Sequence, residues 1–211
     1  MTKGGTKSTC TESGFTLIEL LVSLLMTLII LGVAVATFSS ALGSRERESS
    51  KVDALASAQA AINVMSREIG NSGYGLTYNG IVLADSDATH LRMRSNVGNN
   101  DLQTGASGED ITFFYDSETQ SVVCADRNTG FASGVINRVS HVEFDYFNYV
   151  SDPTTGLPVI TEGATPTSTT ARVNIKLTVE LPDVQGQPSN QRVTLNSDIT
   201  LRNATYMRNQ Y

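Results

Sequence analysis

The chain has no proline before Pro153, only two cysteines, only two histidines and no excess of basic charge, and each shortage excludes something. A formal net charge of −6 makes sequence-independent nucleic-acid binding a poor fit, because that binding rests on neutralising phosphates with Lys and Arg. His90 and His141 stand alone, without zinc-ligand spacing to Cys124 or to each other. There is no G-x-S-x-G nucleophile elbow and no P-loop. No catalytic constellation stands out, and the chain reads as a non-enzyme with no cofactor or metal. Charged residues make up 17% and hydrophobic residues 40%, which excludes both a disordered tail and a polytopic membrane protein. At 211 residues there is room for one ordinary domain beyond a membrane segment.

What is present is a long apolar run from Phe15 to Phe38 with one carboxylate, Glu19, near its start. Between Leu20 and Ala36 only Ser23, Thr27 and Gly32 interrupt it. A buried core helix is rarely so long and so uniformly apolar. An acid in hydrocarbon is costly and marks a partner or a pathway. A secretory signal would use Lys3 and Lys7 as its basic region and Ala34-Val35-Ala36 as its cleavage site, but its apolar region usually ends after roughly 7 to 15 residues. A permanent signal anchor with Glu19 near the interface is a second alternative. Topology does not follow from charge, since Lys3 and Lys7 precede the run while Arg45, Arg47 and Lys51 follow it.

Gly14 followed by Phe15-Thr16-Leu17-Ile18-Glu19 and a long apolar helix resembles the type III signal of type IV prepilins and pseudopilins. The resemblance implies that residues 1–14 are a leader, that a prepilin peptidase/methyltransferase cuts between Gly14 and Phe15 and N-methylates Phe15, and that Glu19 is the family's docking glutamate. It implies a single pass through the inner membrane with a periplasmic C-terminal domain, then entry into a pilus or pseudopilus beside other pilin or pseudopilin subunits. Opposite charges attract more strongly in an apolar medium than in water, so Glu19 suits the ammonium of a neighbour's Phe15. Loss of Lys3, Lys7 and Glu12 with the leader would leave a net charge of −7 in place of −6. It would also remove Cys10, so that Cys124 has no intramolecular partner, a departure from pilins that staple a C-terminal loop. The last loop is then expected to be held by packing alone. Cys124, in Val122-Val123-Cys124-Ala125, reads as a small buried hydrophobe.

The rest predicts an α+β fold, a long N-terminal helix packed on an antiparallel β-sheet. Its helix divides into an all-round apolar half at 15–42 and an amphipathic half at 43–70, in which Leu55, Ala58, Ile62, Met65 and Ile69 form a stripe. Gly70-Asn71-Ser72-Gly73-Tyr74-Gly75 is a helix stop. Residues 71–211 form a β-rich domain. Alternation marks strands at Leu91/Met93, Ile111/Phe113/Tyr115 with a return over 121–125, Val142/Phe144/Tyr146, and Val173 to Leu181 with a return over 193–201 through a loop holding Gly186. Ser151 to Thr170, with Pro153, Pro158 and Pro166, is expected to be a long surface loop.

Within the family, Ile62 to Gly75 and the ending Ile199-Thr-Leu-Arg202-Asn203 resemble PilW-type minor pilins. That points to a low-copy subunit that initiates assembly or forms the filament tip. A J-type pseudopilin of a type II secretion system shares the same N-terminus and is the alternative, with an anchored envelope enzyme or binding module behind it. Asp85-Ser86-Asp87 and Asp116-Ser117-Glu118 read as solvated turns rather than calcium loops. Of Tyr146, Phe147 and Tyr149, alternation sends Tyr146 to the core and leaves Phe147 on the opposite face.

Overall fold

The computed structural model describes residues 14–98, 102–183 and 188–208. It divides into two compact units, Met1–Glu46 and Arg47–Tyr211. Helix α1, Leu17–Gly70, contributes to both. With no proline in its length, nothing removes a backbone donor from its ladder.

In the first unit every residue from Gly14 to Leu42 is exposed, although most are apolar. No charge falls between Glu19 and Arg45. At ~1.5 Å per residue the uncharged stretch is about 37 Å long, more than the ~30 Å hydrocarbon thickness of a bilayer. α1 is thus long and apolar enough to cross a membrane. Three of its hydroxyls, on Ser23, Thr27 and Thr37, are compatible with that solvent. Ser23 donates to the Leu20 carbonyl at 2.9 Å, Thr27 to Ser23 at 2.8 Å, and Thr37 to Ala34 and Val33 at 2.9 and 3.0 Å. Each satisfies its donor inside its own helix, where lipid offers no partner.

In the second unit α1 buries Ala58, Ala61, Ile62, Met65 and Ile69, the expected stripe with Ala61 added, while Leu55 is only half-buried. Among the described residues eight strands follow: β1 His90–Arg94, β2 Asp110–Asp116, β3 Ser121–Asp126, β4 Ala132–Ile136, β5 Val139–Ser151, β6 Pro158–Gly163, β7 Thr170–Glu180 and β8 Arg192–Thr200. A short helix α2, Thr205–Arg208, comes last among the described residues. All strand pairs are antiparallel, in two four-stranded sheets ordered β1-β2-β3-β4 and β6-β5-β7-β8. Leu91, Met93 and Phe113 of one sheet and Phe144, Tyr146, Val173, Ile175 and Leu177 of the other join the helix stripe in a single core.

The fold class is as expected, an α+β arrangement of a long helix on antiparallel structure, but the expected sheet is two sheets. The division falls at the β4–β5 connection, where Arg138 takes a left-handed φ of 58° and β5 leaves β4 to pair with β7. The segment expected to be a long loop, Ser151 to Thr170, instead contains edge strand β6, paired with the far end of β5 from Tyr146↔Gly163 to Ser151↔Pro158. Pro158 is the strand's first residue, a position where a missing N–H is tolerated. Gly186 lies outside the described residues.

The glycine-rich stop also works differently from a simple cap. The helix tightens at its end, with Asn71 N–H donating to Arg67 and Glu68 and Ser72 N–H to Ile69. The left-handed glycines come later, Gly73 at φ 76° and Gly75 at φ 70°. At Gly73 a Cβ would lie 2.7 Å from the Asn79 carbonyl carbon and closer still to the Tyr78 oxygen, so the close approach of residues 78–79 requires glycine there. The C-terminal segment locks this turn by hydrogen bonds, not by packing alone. The Asn203 amide reaches the Leu76 and Tyr78 carbonyls at 2.9 and 2.7 Å, and the Arg208 guanidinium donates to Thr77 at 2.9 Å.

Candidate functional site

Gly14 and Phe15 precede the helix and are exposed, Phe15 by 82%. Among the described residues beyond its chain neighbours, no atom lies within 4 Å of where a Cβ on Gly14 would sit. Thr16 is the N-cap, its carbonyl accepting the first helical bond from Leu20 at 3.2 Å. Glu19 is three residues on. Its Oε2 accepts from the Thr16 N–H at 3.2 Å and the Thr16 hydroxyl at 3.1 Å, while the Thr16 hydroxyl oxygen accepts from the Glu19 N–H at 3.3 Å. This is a capping box, two orphan donors of a helix start satisfied reciprocally, with the carboxylate also placed at the positive end of the helix dipole.

The pattern Thr16-x-x-Glu19 before an apolar run is the sequence signature of that box, so this role of Thr16 was legible beside the charge of Glu19. The box engages only one carboxylate oxygen. Among the described residues Glu19 Oε1 accepts no hydrogen bond. One oxygen therefore orders the helix start while the other keeps acceptor capacity to spare among the described residues.

The second unit holds other titratable groups, and its geometry assigns most of them to structure. Asp110, nearly buried, accepts two bonds from the Arg92 guanidinium at 2.7 Å and one from Arg94 at 2.8 Å. Burial alone would raise its carboxyl, but the two guanidinium groups hold it below the usual carboxylate range. Arg92 also binds Asp85, so that residue of the first acidic loop is already paired. Asp87 accepts from the Thr89 and His90 N–H groups at 2.7 and 2.8 Å. Asp116 takes Glu118 N–H and the Thr119 hydroxyl. Both loops are thus carboxylate-capped turns. Among the described residues no three His, Cys, Asp or Glu side chains converge as a metal site would require.

Cys124 is half-buried in β3. Burial raises its thiol, with Glu68 and Asp126 adding to the shift, which disfavours the reactive thiolate. His90 stacks on Phe114 and His141 is exposed. Tyr146 is fully buried, as its place in the alternation implies, and its hydroxyl donates toward the Asp87 carbonyl at 2.8 Å. Phe147 on the other face lies under the Arg172 guanidinium, 3.9 Å from ring centroid to Cζ. Tyr149 packs on Tyr206, a contact between residues far apart in sequence that no local pattern announces.

Comparison with known proteins finds one family model, the prokaryotic N-terminal methylation motif, matching residues 10–35. No curated protein and no solved structure matches the chain. The matched stretch contains the capping box and the first part of the uncharged helix. That N-terminal stretch carries the signature of type IV pilins and pseudopilins.

Proposed function

We propose that the chain is a minor, non-enzymatic subunit of a type IV pilus-like filament, acting in initiation or at the tip. In this reading prepilin peptidase removes residues 1–14 in the inner membrane and methylates the new amine of Phe15. The uncharged part of α1 holds the subunit in the bilayer with residues 71–211 in the periplasm, and later enters the filament core. The observation that carries the reading is Glu19, a lone carboxylate at the head of an uncharged helical stretch in which Ser23, Thr27 and Thr37 satisfy their hydroxyls internally, with one oxygen unengaged among the described residues.

That oxygen is suited to the Phe15 ammonium of a neighbouring subunit. As the effective dielectric falls from about 80 in water toward about 20, the attraction grows roughly fourfold, and each charge relieves the other's burial. Docking and leaving the membrane are then one event.

Expression of the tagged full chain in a host that makes type IV pili should place a small share of it in sheared surface filaments. Immunogold labelling should be sparse or terminal. Uniform labelling along the shaft would contradict a minor role, and retention in the periplasm beside a working type II secretion system would favour the pseudopilin alternative.

A further inference from the structure

We propose that the cleft between the β5–β6 hairpin and α2 is a binding site for a neutral saccharide. The cleft encloses about 340 Å³ and is lined by Tyr149, Ser151, Pro158, Thr169, Thr205 and Tyr206, together with a glycine of the hairpin turn. No lining residue is charged, in a chain of net charge −6. The rings of Tyr149 and Tyr206 pack on each other at 4.9 Å between centroids with an interplanar angle of 35°, giving the cleft a half-buried aromatic wall. Among the described residues the hydroxyls of Tyr149, Tyr206, Ser151 and Thr205 make no hydrogen bond, whereas Thr169 shares its hydroxyl with Thr167 at 3.0 Å.

That combination selects a class of ligand. An ion would give up hydration and meet no counter-charge. A wholly apolar ligand would leave several hydroxyls desolvated and unpaired. A sugar offers C–H faces to the rings and hydroxyls to the rim, where each protein hydroxyl can donate one bond and accept two. The volume lies at the low end of ligand pockets, roughly one or two rings.

The walls are held in place without a ligand. Asp152 N–H donates to Leu157 at 2.9 Å and Gly156 N–H to Asp152 at 2.8 Å in the hairpin turn, and Tyr149 N–H donates to Thr169 at 3.1 Å. On the opposite side Arg208 ties α2 to Thr77. Such pre-ordering lowers the entropy lost on binding. This site rests on the cleft alone and stands whichever filament the chain joins.

The test uses the full chain in a zwitterionic detergent free of sugar headgroups, with saturation-transfer NMR against methyl glucoside, galactoside and mannoside, N-acetylglucosamine, and N-acetylneuraminate as the charged control. At least one neutral sugar should receive saturation at its ring C–H protons. Tyr206→Ala and Thr205→Trp, the latter filling the cleft from an exposed position, should each weaken binding at least about tenfold. Transfer to none of the neutral sugars would overturn the proposal. So would equal transfer to the charged control, or undiminished binding by Thr205→Trp with a wild-type amide spectrum.

Discussion

Glu19→Gln should leave the processed subunit abundant in the membrane and yet reduce its recovery in filaments roughly tenfold or more, as Glu19→Ala should. The pair of substitutions separates the two roles that the geometry gives this side chain. Glutamine occupies the third position of a capping box as glutamate does, so Glu19→Gln keeps a partner for the Thr16 N–H while removing the charge. Alanine removes both. Taking one partner from an ion pair in an apolar setting leaves the other uncompensated, at a cost of a few kcal/mol, and about 1.4 kcal/mol is already tenfold in an equilibrium. If the charge docks the subunit, the two variants fail alike. Wild-type assembly by Glu19→Gln together with failure of Glu19→Ala would leave Glu19 a capping residue only.

Gly14→Val should convert nearly all of the chain to an unprocessed form that still carries residues 1–14 and an unmethylated Phe15. Among the described residues beyond its chain neighbours, nothing lies within 4 Å of the added Cβ, so the described fold does not require glycine here. In the proposed reading the requirement belongs to the peptidase, whose catalytic groups must approach the backbone on both sides of the scissile bond, and a branched side chain would obstruct that approach where glycine does not. Electrophoretic mobility of the membrane fraction reads the result. The two sites are coupled, because without cleavage no ammonium forms at Phe15. Glu19→Ala added to Gly14→Val should therefore lower assembly no further. Normal processing of Gly14→Val would move the scissile bond elsewhere.

How far the residues alone reveal this protein depends on which elements bury one face. β7 is legible because Val173, Ile175, Leu177 and Val179 face the core while Arg172, Asn174, Lys176 and Thr178 do not, and the stripe Ala58, Ile62, Met65, Ile69 is legible for the same reason at helical period. β6 is exposed along almost its whole length, and β4 over its first three residues. Without a buried face neither strand shows alternation, and both go unread. The division into two sheets turns on the single left-handed residue Arg138, an arginine that carries no turn signal in its identity.

The N-terminal site is local, confined to residues 14–19, and so its charge and its spacing are both visible in the sequence. Its capping box is equally local, since Thr16 and Glu19 are three residues apart. The Tyr149–Tyr206 cleft and the Arg92–Asp110 ion pairs are assembled by register and topology across distant segments. Only the folded chain brings those groups together.

Whether this chain is a processed, pilin-like subunit is read in the identity of its mature first residue. Intact mass and N-terminal peptide mass spectrometry of the protein extracted from membranes of a host with prepilin peptidase should find a chain that begins at N-methyl-Phe15. A chain beginning at Met1, as a permanent signal anchor would, or near residue 37, as a conventional secretory signal would, contradicts the account.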